Sequence, residues 1–95
     1  MESTLPQECE VRVTVVNRLG LHARPATAFV QLAQQYDSDV RVRRDDQEVD
    51  GKSVMQMMLL AATQGVELSV KCVGVDCETA CSAIADLVAR GFDEE

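Results

Sequence analysis

The chain reads Leu19-Gly20-Leu21-His22-Ala23-Arg24-Pro25-Ala26 around its only histidine. Gly20 permits a backbone turn that a residue with a Cβ resists, and Pro25 is tolerated in a helix only in the first turn. Apolar residues then recur at helical spacing, at Phe29, Val30 and Ala33. The stretch therefore predicts a helix over about residues 23–35, with His22 at or next to its N-cap.

The start of this helix has the chemistry of an anion site. The backbone N–H groups of its first turn, those of Ala23 and Arg24, have no intrahelical acceptor, and the helix dipole adds partial positive charge. The Arg24 side chain contributes a forked, permanently charged donor. A neutral ring nitrogen of His22 can attack phosphorus, so the arrangement suits a transient phosphohistidine. The motif alone leaves a capping or surface histidine open as the alternative.

The length and charge of the chain narrow the class of protein. Its 95 residues predict one small domain, residues 9–92, with an N-terminal extension over residues 1–8 and an acidic tail over residues 93–95. We expect the tail to tuck the ring of Phe92 and leave its acids in water. The net charge of −7 opposes nucleic-acid binding. No apolar run is long enough for membrane insertion and the N-terminus does not resemble a signal peptide, so we expect a cytoplasmic location.

Cysteines and arginines form the two other notable groups. The four cysteines are Cys9, Cys72, Cys77 and Cys81, and their spacing matches no common zinc pattern. We therefore expect reduced, mostly buried thiols and no metal site. A redox protein using Cys77 and Cys81 is a further hypothesis, which lacks a Cys-x2-Cys motif. We expect Arg41, Arg43 and Arg44 to form a solvated strand face.

The rest of the chain predicts alternating strands and helices. Residues 9–16 alternate, with Cys9, Val11, Val13 and Val15 on the inner face. Strands over residues 39–43 and 47–50 flank a turn at Asp45-Asp46, and another strand covers residues 66–73. Ser53 is a good N-cap for a helix over residues 54–62 that Gly65 ends, and Asp76 caps a final helix that Gly91 closes. The predicted order is βαββαβα, an α+β fold with a four-stranded antiparallel sheet and three helices on one face.

The helix after Ser53 is apolar almost all round. Part of such a helix stays exposed, and flexible methionines suit a surface that binds partners. We expect Met57 to fill the core instead.

Two motifs together resemble one protein family. The stretch from Gly20 to Ala26, and Gly51-Lys52-Ser53-Val54-Met55 with the run to Thr63-Gln64-Gly65, closely resemble the HPr family, the histidine-containing phosphocarriers of the phosphoenolpyruvate-dependent phosphotransferase system. The likeness extends from about Glu10 to Phe92. It implies the family's open-faced β-sandwich.

The resemblance also implies roles for individual residues. His22 matches the histidine that takes a phosphoryl group on Nδ1, the pros nitrogen, from enzyme I and passes it to an enzyme II A component. Arg24 matches the arginine that stabilises the transferring group, with the first-turn amides of Ala23 and Arg24 beneath it. Ser53 matches a serine that a dedicated kinase phosphorylates in some bacteria. Val54, Met55 and Met58 fall at the family's apolar docking patch for partners.

The resemblance implies a carrier with no cofactor, a phosphoryl-transfer intermediate and not a stand-alone enzyme. No Gly-x4-Gly-Lys-Ser/Thr loop is present to hold ATP, so the donor must arrive already activated. We expect a monomer, because two partner-facing helices need a free surface.

Three questions stay open at this point. The lead-in Asn17-Arg18-Leu19-Gly20 is similar both to sugar-system carriers and to the nitrogen-related branch, in which the protein would act as a regulatory docking module. Ser53 is explained equally by N-capping and by phosphorylation through a serine kinase and its phosphorylase. Leu19 stands where several carriers have a short polar residue, so the loop before His22 is expected to be held differently.

Overall fold

A computed structural model describes residues 7–94 of the chain. Its strands are β1 (Glu8–Thr14), β2 (Asp39–Arg44), β3 (Gln47–Asp50) and β4 (Glu67–Val73). Its helices are α1 (Ala23–Ala33), α2 (Val54–Leu59) and α3 (Cys77–Ala89), and a single 3-10 turn, Gly91–Asp93, follows α3. The predicted order of strands and helices is confirmed. Residues 1–6 of the predicted extension lie outside the described part, and β1 begins at Glu8.

The four strands form one antiparallel sheet in the order β1-β4-β2-β3. The two central strands, β4 and β2, are therefore far apart in sequence. In the register, Val11 faces Val70, which in turn faces Val42 across the next strand pair. Neighbouring residues on the same face of the sheet thus come from three separate parts of the chain.

One face of the sheet is covered by the helices and the other face is open. The predicted alternation is observed, since Val13, Val15, Leu68, Val70 and Cys72 are buried while Arg12, Thr14, Glu67 and Lys71 between them are exposed. Phe29 of α1, Met57 of α2 and Ile84 of α3 are fully buried against this face. The open-faced α+β architecture is confirmed, because the burial of side chains on one face alone requires helices on that face alone.

Helix α2 ends earlier than the sequence predicts. Its last residue is Leu59, and Ala61, not Gly65, takes the left-handed backbone conformation that ends it. Two tertiary contacts occupy the carbonyl groups that a longer helix would use. Arg44 donates to the Leu60 and Ala61 carbonyls at 2.9 Å each, and the Leu21 N–H donates to the Ala62 carbonyl at 2.8 Å.

The basic cluster on β2 behaves in two ways. Arg41 and Arg43 are exposed, as expected of a solvated strand face. Arg44 differs from that expectation, because its half-buried side chain holds the end of α2. No helix within residues 7–94 is both long enough and apolar enough to cross a membrane.

Asp76 occupies the predicted N-cap position of α3 but uses its side chain elsewhere. Its carboxylate accepts hydrogen bonds from the Ser38 hydroxyl and from the backbone N–H groups of Asp37 and Ser38, in the loop before β2. The Ser38 hydroxyl and these backbone donors lower the pKa of Asp76 below its ordinary value. The residue thus joins two loops and makes no side-chain cap bond to the helix.

The end of the chain departs from the expectation of a solvated acidic tail. Gly91 closes α3 in the left-handed conformation and Phe92 is buried, as predicted. Glu94, however, folds back onto the start of α1, and its side chain is only 15% exposed. Phe92 and Asp93 both have positive φ, an unfavourable conformation that turns the chain back in this direction. Glu95 lies outside the described residues.

Candidate functional site

His22 is the N-cap residue of α1, as the sequence predicts. Its backbone is extended, and its carbonyl accepts the first helical hydrogen bond, from the Ala26 N–H at 3.0 Å. Its side chain makes no cap bond and is 37% exposed. The imidazole is therefore held by the backbone at the helix end while remaining accessible to another molecule.

Glu94 holds one nitrogen of this imidazole. His22 Nε2 lies 3.2 Å from one carboxylate oxygen of Glu94 and 3.1 Å from the other. An ionised carboxylate only accepts hydrogen bonds, so this contact favours the proton on Nε2. In the neutral ring, Nδ1 then carries the free lone pair that a nucleophile needs.

The loop before His22 is fixed by Asn17. The side-chain amide of Asn17 donates to the Gly20 carbonyl at 2.7 Å and to Glu94 at 3.1 Å. Asn17 is buried, and its Oδ1 atom has no hydrogen-bond partner within the described residues. One amide thus joins the loop to the end of the chain, which explains how the loop is held with Leu19 before the glycine.

Gly20 is required by the geometry of this loop. Its φ is +71°, and a Cβ at this position would lie 2.6 Å from the backbone oxygen of Ala62. The same Ala62 oxygen accepts the Leu21 N–H. A larger residue would therefore push the loop away from the chain after α2 and displace the end of α1.

Arg24 is exposed beside the histidine. It lines an open depression of about 440 Å³ together with Leu19, Phe92, Asp93 and Glu94. Among residues 7–94, no side chain or carbonyl forms a hydrogen bond with its guanidinium group. Arg24 therefore offers donors at the edge of the site that a bound anion can take up.

Ser53 and the predicted docking residues lie on α2, which packs against α1. Ser53 is the N-cap, and its hydroxyl accepts the Gln56 N–H at 3.2 Å. Met55 is 81% exposed and Met58 44% exposed, whereas Val54 is half-buried against the core. Met57 is fully buried, as expected.

The sequence did not point to all of the exposed apolar surface. Leu19 is 68% exposed and Leu59 65% exposed. Leu19 borders the depression next to Arg24, and Leu59 belongs to α2. The incomplete burial of an all-apolar helix was a usable signal for Leu59.

Glu94 and Asn17 are the residues at His22 that sequence reasoning missed. Glu94 is 72 residues from His22, and no periodic pattern links the two. An asparagine in a turn is ordinary, so Asn17 had no distinguishing signal either. Only the path of the chain after α3 brings them together.

The cysteines form a separate group. All four are free, and Cys72, Cys77 and Cys81 are buried as expected while Cys9 is half-buried. Within the described residues, no three His, Cys, Asp or Glu side chains are arranged to hold a metal ion.

Comparison with known proteins gives one consistent result. A family model described as "PTS HPr component phosphorylation site" matches residues 9–90. The phosphocarrier protein HPr of Pseudomonas aeruginosa is 42% identical over 85 residues, which are 88% of this chain and 94% of that protein. The phosphocarrier protein HPr of Treponema pallidum is 45% identical over 83 residues, 87% of this chain and 94% of that protein.

A solved structure agrees with these relatives. The crystal structure of HPr-C-His from Thermoanaerobacter tengcongensis is similar with a TM-score of 0.88 and 40% sequence identity, covering 92% of this chain and 98% of that one. The resemblance inferred from the two motifs is therefore confirmed. The chain belongs to the HPr family, the phosphocarriers of the phosphotransferase system.

Proposed function

We propose that this protein accepts a phosphoryl group on Nδ1 of His22 from phospho-enzyme I and passes it to an enzyme II A component. The observation that carries the proposal is the contact between His22 Nε2 and Glu94, 3.1 Å from the nearer carboxylate oxygen. It keeps the proton on Nε2 and leaves Nδ1 with its lone pair. The family of the chain supports the same direction of transfer.

The transfer is an in-line exchange between two imidazoles. The Nδ1 lone pair forms a bond to phosphorus as the bond between phosphorus and the donor histidine breaks, and the donor ring keeps that electron pair. The backbone N–H groups of Ala23 and Arg24 and the Arg24 guanidinium stabilise the charge of the phosphoryl group in transit. In the second transfer, His22 becomes the leaving group.

Glu94 acts in this scheme as a positioning residue. Its carboxylate orients the ring and compensates the positive charge that the imidazole gains when Nδ1 is phosphorylated. Asn17 in turn orients the carboxylate by its 3.1 Å hydrogen bond. The acceptor is thus prepared by two residues that need no contact with the phosphoryl group.

Partner proteins dock, in this proposal, on the exposed apolar side chains near the site: Leu19, Met55, Met58 and Leu59, with the half-buried Val54 at their border. Methionines adapt to partners of different shape, as a carrier that meets both enzyme I and an enzyme II A component requires. The carrier works as a monomer, so that this surface stays free. Its four free thiols suit the reducing cytoplasm.

The experiment combines the purified protein with enzyme I and labelled phosphoenolpyruvate. We expect an acid-labile, alkali-stable label that is lost in His22→Ala, while Ser53→Ala keeps the label as the matched control. Addition of an enzyme II A component should then discharge the label from the wild-type protein. An acid-labile label on His22→Ala would overturn the assignment.

The same assay separates the carrier from a regulatory docking module of the nitrogen-related branch. For that alternative, the label would form but would not discharge to any sugar-system enzyme II A component, and the phosphorylation state would change only the affinity for a partner. Light scattering of the same sample tests the monomer, which a stable dimer at micromolar concentration would contradict.

Ser53 is the proposed site of a second modification by a serine kinase and its phosphorylase. A phosphate at the N-cap is compatible with the fold, because a dianion is favourable at a helix N-terminus. It would weaken docking, since the new charge borders Val54 and Met55. We expect Ser53→Asp to unfold like the wild type but to bind enzyme I more weakly, and equal binding would contradict the regulatory role.

A further inference from the structure

Four cysteines from distant parts of the chain meet where β1 and β4 pack against α3. Cys9 and Cys72 are directly opposed in the pairing of these strands. Cys77 and Cys81 lie one turn apart on α3, which packs on the same two strands. The phosphoryl transfer proposed above uses none of these thiols.

Within this group, Cys9 and Cys77 form the pair suited to covalent linkage. Their sulfur atoms are 3.1 Å apart and share a hydrogen bond, although 68 residues separate them in the sequence. Cys81 instead directs its thiol to the Cys9 carbonyl, at 3.4 Å. Cys72 is fully buried between the sheet and the helix. A small rotation of either thiol in the Cys9 and Cys77 pair brings the two sulfurs to bonding distance.

Access from solvent also distinguishes this pair. Cys9 lies on the edge strand β1 and is half-buried, whereas the other three cysteines are buried. A reagent in solution therefore meets Cys9 first, and Cys77 is the thiol whose sulfur lies against it. The pair thus combines an accessible attacking thiol with a buried resolving thiol.

We propose that Cys9 and Cys77 form a reversible disulfide in response to small-molecule disulfides such as oxidised glutathione. The Cys9 thiolate attacks one sulfur of the small disulfide, forming a mixed disulfide and releasing one small thiol. The Cys77 thiolate then attacks the Cys9 sulfur and releases the second small thiol. Two protein thiols are oxidised, and one small disulfide is reduced to two thiols.

The reaction is expected to be slow near neutral pH. The hydrogen bond with Cys77, burial, and the nearby Cys77, Cys81 and Glu78 raise the pKa of Cys9 to about 11. Every one of these groups acts in the same direction, so the thiolate fraction grows with pH throughout the range from 7 to 9. Slow oxidation fits a protein that stays reduced until small disulfides accumulate.

The disulfide lies far from the proposed phosphoryl site. Cys77 is the first residue of α3, whereas Glu94, which contacts His22, follows its other end. A helix of 13 residues spans about 20 Å. The modification therefore ties the edge strand β1 to α3 without removing any contact of His22, and it can be tested without reference to phosphoryl transfer.

The experiment treats the full chain with oxidised glutathione at pH 8.5, quenches with an alkylating agent and maps the peptides by mass spectrometry. We expect a monomer lighter by two hydrogen atoms, with the Cys9 peptide linked to the Cys77 peptide. Its Tm should rise by several degrees, because the link closes a long loop in the unfolded chain. Dithiothreitol should reverse both changes.

Two variants make the test specific. Cys77→Ala should stop at a stable glutathione adduct on Cys9, whereas Cys81→Ala, the matched control on the next turn of α3, should still close the link. Circular dichroism establishes that each variant is folded. In the wild-type protein alone, a different pairing, a link between two chains, or an adduct that never resolves would overturn the proposal.

Discussion

The two ends of α3 present opposite chemistry. At its start, Cys77 lies in a group of thiols that bond to one another and to a backbone carbonyl, and Asp76 is engaged by three donors. Beyond its other end, Glu94 reaches a half-exposed histidine next to an open depression. The same helix thus connects a closed, internally bonded region with an open one.

The difference shows which unsatisfied groups point to function. The first-turn N–H groups of α1 and the Arg24 guanidinium offer donors for a ligand at the open end. At the closed end the polar groups have protein partners, and the thiols stay protonated because burial and their neighbours raise the pKa of Cys72 to about 12. Available donors around a nucleophile favour group transfer there, whereas the closed end favours stability and slow thiol chemistry.

Gly20→Ala should break the open end most severely. The new Cβ would lie 2.6 Å from the Ala62 oxygen in a left-handed conformation, and we expect a loss of about 3 kcal/mol in the free energy of unfolding. Gly65 also has a positive φ, but a Cβ there meets open space. Urea denaturation should therefore show a smaller loss, about 1 kcal/mol, for Gly65→Ala. Equal losses would contradict the steric argument.

Arg24→Ala should lower the rate of phosphoryl transfer while leaving the fold intact. Loss of one charged donor at a transferring group costs about 10-fold to 100-fold in rate. Arg24→Lys should fall between, because it keeps the charge without the fork. Rapid-quench measurement from phospho-enzyme I gives the rate, and Arg18→Ala on the other side of His22 is the control. A rate for Arg24→Ala equal to that of Arg18→Ala would exclude the proposed role.

Glu94→Gln should slow transfer a few fold and change the tautomer of His22. A glutamine can donate as well as accept, so the proton is no longer confined to Nε2. Nitrogen-15 spectra of the imidazole report the tautomer, and rapid quench reports the rate. Asp93→Asn makes the same change of charge at the neighbouring residue, which pairs with Arg90. An unchanged tautomer in Glu94→Gln would show that the carboxylate does not orient the ring.

Asp76→Asn should have the smallest effect, confined to acidic pH. The pKa of Asp76 in the folded protein lies below its ordinary value of 3.8, so the carboxylate stabilises the fold above that value. This contribution is lost as the pH falls toward the lower folded pKa. Between pH 5 and pH 3, urea denaturation should show a steeper loss of stability for the wild type than for Asp76→Asn. Asp46→Asn in the exposed turn should behave as the wild type does.

Much of the fold followed from local patterns. Alternation predicted the inner faces of β1 and β4, and Gly20 with Pro25 located the start of α1. The errors occur where a distant residue competes with a local signal. Gly65 was expected to end α2, but Arg44 and Leu21 take up the carbonyl groups just after Leu59.

The site was predictable to a similar extent. His22, Arg24 and Ser53 were located correctly with respect to their helix ends, because capping depends on the residues immediately around it. Glu94 was expected in water, since three residues of acidic tail carry no local signal for burial. Its contact with Asn17 and His22 depends on the positive φ angles of Phe92 and Asp93 and on the packing of the Phe92 ring.

The sequence by itself determined the strands, the helix starts, the nucleophilic histidine at the beginning of α1 and the reduced state of the cysteines. The tertiary structure alone decided that Glu94 holds His22 and that Cys9 lies against Cys77. The physical reason is the range of the interactions. Periodicity and capping act over a few residues, whereas the order β1-β4-β2-β3 and the path of α3 bring together side chains that are about 70 residues apart.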